Sequence, residues 1–165
     1  MTTNSGTLKI LPQGDREIVM SRVFDAPRHL VFHAFTRPEL LKQWLFGPDG
    51  WTLAVCDVDL KVGGAYRYVW RREASGTEMG AGGVFREIVP PERIVSSERF
   101  DNSWYAGEAV GAIVLVEQGD KTAFTQTMRY ESREARDAVL KSGFESGVAA
   151  SYDRLDAVLA TQNAA

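Results

Sequence analysis

The chain has 165 residues, of which 44% are apolar and 25% charged, with a formal charge of -3. This is enough for one core with an ordinary charged surface, and the weakly acidic balance, with Arg71 and Arg72 only a local basic pair, excludes a nucleic-acid partner. Cys56 stands alone, which excludes an internal disulfide framework and a thiolate metal cluster, and the polar opening from Met1 to Gly14 has no secretory apolar core.

Residues 1–15 are read as a flexible N-terminal segment. Arg16 to Phe24 then reads as a strand, with Ile18, Met20 and Arg22 alternating against Val19, Ser21 and Val23. Asp25-Ala26-Pro27 stops it. Asp25 is the expected helix cap, Pro27 suits a first helical turn, and Leu30, Val31, Ala34 and Phe35 form the apolar face of a short helix. Pro38 to Trp44 reads as a second short helix, because Thr36 and Glu39 have capping-box spacing and Leu40, Leu41 and Trp44 recur at helical intervals. Gly47-Pro48-Asp49-Gly50 predicts a turn.

The period then changes to two. Trp51 to Asp59, Ala65 to Arg72, Gly80 to Ile88, Ile94 to Phe100, Ala109 to Glu117 and Thr122 to Tyr130 read as successive strands between short turns. Such connections favour an antiparallel meander. Tyr66, Tyr68 and Trp70 share one strand face, and Phe124, Gln126, Met128 and Tyr130 share another. Ser132 to Ser142 reads as a short helix. A longer one is predicted from about Ser146 to Ala160, with Val148, Tyr152, Leu155 and Leu159 as an apolar stripe that needs the sheet as its partner. Residues 16–160 thus form a single α+β domain, a curved antiparallel sheet closed by a C-terminal helix, and 161–165 are a tail.

Several stretches carry a family resemblance: Phe24-Asp25-Ala26-Pro27, Pro38 through Trp44 followed by Phe46-Gly47-Pro48, and Asp59 through Tyr66. Gly83 through Ile88, Pro91-Glu92-Arg93-Ile94 and Gly143-Phe144 through Leu155 complete the set. With these, the chain resembles the activator-of-Hsp90-ATPase-like group of the START-like, or SRPBCC, superfamily over roughly residues 16–160. The resemblance implies a helix-grip fold, in which a curved antiparallel sheet wraps the long last helix and often leaves a cavity between them. It also points to a chaperone as a partner, although the additional N-terminal domain of the eukaryotic co-chaperone has no counterpart here.

Trp44, Trp70, Phe85, Phe100, Trp104, Met128, Phe144 and Tyr152 are the candidate wall of such a cavity, since aromatic walls offer rigid apolar area with a few polar edges. The same residues would serve equally as core. Trp104 differs, because Asp101-Asn102-Ser103 before it and Gly107 after it place it in a connection near a cavity mouth. Among Arg67, Arg86, Glu98, Glu108, Gln126 and Arg129, strict alternation selects Glu98 and Gln126 as the polar inner-face candidates. His29 and His33 have one-turn spacing without further ligands, Cys56 has no adjacent base, and Gly63-Gly64 and Gly80-Ala81-Gly82-Gly83 suit turns or sheet curvature better than phosphate binding.

No catalytic set, metal site or cofactor is expected. The leading expectation is noncatalytic binding of a small hydrophobic or amphipathic molecule, for transport, sequestration or sensing. A cyclase, aromatase or hydrolase-like enzyme is one alternative, and a chaperone-associated interaction module using Asp57, Asp59, Glu73 and Glu78 is another. A homodimer is compatible with exposed aromatics, and a cytoplasmic location without membrane insertion is expected.

Overall fold

The structure is a computed structural model and describes residues 8–164. Its strands are β1 (Lys9–Gln13), β2 (Glu17–Phe24), β3 (Trp51–Val58), β4 (Ala65–Arg72), β5 (Glu78–Val89), β6 (Arg93–Phe100), β7 (Ala109–Gln118) and β8 (Lys121–Arg129). The helices are α1 (Arg28–Thr36), α2 (Pro38–Trp44), α3 (Arg133–Leu140) and α4 (Glu145–Ala164). All strands join one sheet in the order β1-β2-β8-β7-β6-β5-β4-β3, and each neighbouring pair is antiparallel. The α+β helix-grip arrangement is therefore present: a curved, open antiparallel sheet from which the long last helix takes its partner.

The period-2 pattern of β2 shows how the core is made. Ile18, Met20, Arg22 and Phe24 are buried, while the intervening residues are half-buried. Register places Ile18 opposite Met128, Met20 opposite Gln126 and Arg22 opposite Phe124, so β2 and β8 present one continuous inner face. α4 covers part of it: the Tyr152 ring meets Phe24 and Phe124 edge-on at centroid distances of 5.7 and 5.4 Å. Phe35 stacks on Phe124 at 5.1 Å and meets Trp44 at 4.9 Å, which brings α1 and α2 into the same cluster. Ser151, Tyr152, Leu155, Val158 and Leu159 are the buried face of α4, and Val148 is half-buried beside them.

The outer sheet face carries cross-strand ion pairs. Arg67 forks onto Asp101 with two 2.6 Å bonds, Arg71 reaches Glu78, Arg86 reaches Glu108 and Arg93 reaches Glu87. Exposed pairs of this kind contribute little stability each, roughly 0.2–1 kcal/mol. They occupy three of the charged site candidates, Arg67, Arg86 and Glu108. In β5 the glycine run serves close strand approach: a Cβ at Gly83 would overlap the Ser97 carbonyl oxygen on β6.

Several local expectations need correction. The segment before residue 16 contains strand β1, which pairs with β2 from Lys9↔Ser21 to Gln13↔Glu17; residues 1–7 of the expected flexible segment lie outside the described residues. Asp25 does not cap α1, whose N-cap is Pro27 without a side-chain hydrogen bond. Nor is there a capping box at α2, since its N-cap is Arg37 and the Thr36 hydroxyl donates back to the Phe32 carbonyl. Ser132 does cap α3, accepting from the Ala135 N–H. Residues 161–164, expected as part of a tail, are the last turn of α4. Among the described residues no helix is long and apolar enough to cross a membrane.

Candidate functional site

A cavity of about 540 Å³ lies between the inner face of the sheet and the helices. Each supporting element contributes through its own period. β4 supplies Tyr66, Tyr68 and Trp70, β6 supplies Ile94, Ser96, Glu98 and Phe100, and β8 supplies Gln126 and Met128, all at alternate positions. β7 adds Gly111 and Ile113. From the helical side come Phe35, Trp44, Val148, Ser151 and Tyr152. Exposed lining residues mark the rim: Met79 and Trp104 on the sheet side, Pro48 after α2, and Gly143 and Ser146 where α4 begins.

All ten residues selected from the sequence border this one space: Trp44, Trp70, Phe85, Glu98, Phe100, Trp104, Gln126, Met128, Phe144 and Tyr152. They are not equivalent. Trp44, Phe85, Met128 and Tyr152 are buried core residues whose edges reach the cavity, whereas Trp104 is 46% exposed. Its indole leans on Phe100 at 5.0 Å, and Phe100 in turn stacks on Trp70 at 6.5 Å. An aromatic row therefore runs from β4 across β6 to the loop before β7.

Hydrogen bonding decides which polar atoms remain open to a bound molecule. The Trp44 indole donates to the Ala34 carbonyl at 3.0 Å and the Trp70 indole to the Leu45 carbonyl at 2.9 Å, so both rings offer only their faces. The Tyr66 hydroxyl donates to the Ser97 carbonyl at 2.6 Å, and Tyr152 reaches Gln126 Oε1 at 3.4 Å. Tyr105 Oη is buried without a hydrogen-bond partner, and no side chain among the described residues hydrogen-bonds the Glu98 carboxyl.

Among the described residues, Glu98 is also the single charged residue of the lining, which contains no Lys, Arg or His. Burial pushes its carboxyl up to about 7. Tyr66, Tyr105 and Tyr130 are raised well above the ordinary phenol range, first by burial and next by the Glu98 charge; Tyr68 is raised by burial, Cys56 and Glu98. Four phenols therefore share the cavity lining with one carboxyl and stay neutral at any ordinary pH.

Sequence reading had placed Tyr66, Tyr68 and Tyr130 on inner faces without selecting them, although alternation with Trp70 and Met128 carried the signal. Tyr105 had none, because it sits in an irregular loop. The remaining candidates lie elsewhere. His29 and His33 face each other at 6.1 Å on α1, and among the described residues no cluster of three metal-ligating side chains occurs. The buried Cys56 thiol is pushed up to about 11, chiefly by burial, which leaves it unreactive at neutral pH.

The model of the family described as "Activator of Hsp90 ATPase homolog 1-like protein" matches residues 25–160. A crystal structure of a protein from Rhodobacter sphaeroides is 30% identical over 93% of this chain and 98% of that chain, with a TM-score of 0.87. Another, from Chromobacterium violaceum, is 30% identical over 87% of this chain and 96% of that chain, with a TM-score of 0.77. An AHSA1-like protein from Aeromonas hydrophila shares the fold at 17% identity, covering 84% of this chain and 92% of that chain with a TM-score of 0.66. No curated protein matches the chain.

Proposed function

Because the chain belongs to the activator of Hsp90 ATPase homolog 1-like family, and its domain encloses an aromatic cavity, we propose that it binds a small hydrophobic or amphipathic molecule without chemical conversion. Transport, sequestration or sensing would each use that binding. The observation that carries the reading is the cavity itself: about 540 Å³, lined mostly by apolar and aromatic side chains, with few polar atoms left unpaired. That volume falls in the range of roughly 300–1,000 Å³ typical of small-molecule pockets. Rings such as Trp70, Phe100 and Trp104 provide stacking area that costs little rotamer entropy to present.

Binding without conversion is favoured over catalysis because general acid-base chemistry needs a positioned proton donor and acceptor of suitable pKa. The polar pair within the wall, Tyr152 and Gln126, joins an amide to a phenol held far above neutrality. Glu98 has the pKa for proton transfer but no side-chain partner among the described residues. Of the acidic residues considered for a chaperone-facing surface, Glu78 is occupied by Arg71, Glu73 accepts from the Thr52 hydroxyl, and Asp59 neighbours Lys61 at 3.8 Å.

Native mass spectrometry of freshly purified protein, followed by solvent extraction, tests the proposal. The expected result is a reproducible bound small molecule, or a rise in unfolding temperature with members of an apolar ligand panel. Protein that is free of any bound species and insensitive to the whole panel would overturn it.

A further inference from the structure

The charge pattern of the cavity narrows the chemistry of its ligand, an inference that rests on the binding function proposed above. A wall built to hold a carboxylate or phosphate head would offer Arg, Lys, His or a set of free N–H donors. Among the described residues this one offers none of the three side chains; its Trp44 and Trp70 N–H groups already donate to backbone carbonyls, and the side-chain N–H donors that remain, the Trp51 and Trp104 indoles and the Gln126 amide, are neutral and lie on separate elements. What it offers is one carboxyl, Glu98, without a cationic or hydrogen-bonding side-chain partner among the described residues, set among the faces and hydroxyls of aromatic side chains. A carboxylate out of water is costly unless a cation or donors meet it. Aromatic faces attract the same cations.

We propose that the cavity selects amphipathic amines, with the protonated amine seated against Glu98 and the apolar body along the row of Trp70, Phe100 and Trp104. The amine would bring both the positive charge and the N–H donors that Glu98 lacks. A carboxylate-headed ligand of the same shape would set two anions against each other. An alcohol would satisfy the hydrogen bond without the charge.

The test uses matched sets in which only the head group changes: dodecyl, 4-phenylbutyl and 4-(2-naphthyl)butyl chains, each as amine, alcohol and carboxylate. Calorimetric titration near pH 8 should rank amine over alcohol over carboxylate, with the amine at least about tenfold tighter than the alcohol. Glu98→Gln should remove that advantage and leave alcohol binding within about threefold. A second measurement needs no variant. In the wild-type protein the amine advantage should shrink between pH 8 and pH 5.5, because Glu98 takes up a proton near 7 while the amine stays charged. The titratable groups that line the cavity with Glu98 do not titrate over this interval: Tyr66 and Tyr68 of β4, Tyr105 of the loop and Tyr130 after β8 are all raised, and Arg99, the next residue on β6, is exposed on the other side of the strand.

Alcohols that bind as tightly as amines, or an amine preference that survives both Glu98→Gln and the acid shift, would overturn the amine assignment while leaving the cavity a binding site. If no member of any set binds, both this inference and the binding function fall.

Discussion

Two charged residues sit on the inner face of the same sheet, and the fold treats them in opposite ways. Arg22 on β2, with a side chain only 2% exposed, is met by Asp153 at 3.0 Å and by Asp156, both from α4. It also lies 5.5 Å from the centre of the Phe24 ring. Glu98 on β6 borders the cavity and, among the described residues, meets no cation. The difference separates a charge used to hold the protein together from one held ready for something else. At Arg22 the ion pairs tie the last helix to the second strand across more than 130 residues of chain. Glu98 is half-buried at the cavity wall, and with no side-chain partner among the described residues its desolvation appears as a carboxyl that holds its proton up to about 7.

The sharpest way to break this comparison is to strip the partners from the paired charge. Replacing Asp153 and Asp156 together by Ala should cost about 3–5 kcal/mol, because Arg22 remains buried with no anion. Arg22→Met, which removes the charge itself, should cost clearly less than the double change. Equilibrium urea unfolding reads both, and equal losses would mean that Arg22 contributes packing rather than a pair. Leu155→Ala probes the same packed region without charge. Leu155 is 0% exposed, beneath the helix, and its truncation should cost about 2–5 kcal/mol through lost burial and a residual void. A loss below about 0.5 kcal/mol would remove it from the core.

At Glu98 the corresponding change should go the other way. Its folded value, about 7, lies above its ordinary 4.5, so between those values the unfolded chain releases a proton that the folded chain keeps. Stability therefore falls as pH rises through this interval, and the penalty is fully present above pH 7. Below about pH 4.5 the penalty is absent. Glu98→Gln removes the titration, so the ligand-free variant should gain on the wild type as pH rises from 4 to 8. Parallel stability curves for the two proteins over that range would contradict a desolvated Glu98.

How far the sequence revealed these features depends on whether they follow a period. The inner faces of β4, β6 and β8 did, because residues two apart share a side and the aromatic ones are conspicuous; this is why Trp70, Glu98 and Met128 could be placed on one surface. β1 did not, since Lys9, Leu11, Pro12 and Gln13 are exposed and the strand is held by pairing with β2 rather than by burial. The helix caps failed for a related reason: Thr36 has two local acceptors to choose from, and its hydroxyl turned back to the Phe32 carbonyl rather than forward to α2. Arg22 shows the limit of periodicity. Alternation could put it inside, but its partners lie on a helix at the far end of the chain, and no spacing links them. Tyr105 lies in the loop between β6 and β7, where neither period applies.

Trp104 lies in that same loop, and it separates contact with a ligand from packing more cleanly than any buried aromatic can. Nearly half of its surface is open, and its neighbours are Phe100 and Tyr105 rather than the packed cluster around Phe124. Deleting a core aromatic commonly costs about 3–5 kcal/mol of folding stability. Trp104→Ala should cost less than about 1 kcal/mol in the ligand-free protein, as a half-exposed ring has little burial to lose. If the indole covers the bound molecule, the same change should weaken binding by about 1–3 kcal/mol, as removal of an aromatic contact at an interface does. Titration of the tightest ligand from the matched sets, alongside unfolding of the ligand-free variant, measures both. A large stability loss with unchanged affinity would assign Trp104 to the core, and no change in either would place it outside both; weakened affinity with stability retained would make it the outer wall of the site whose inner wall carries Glu98.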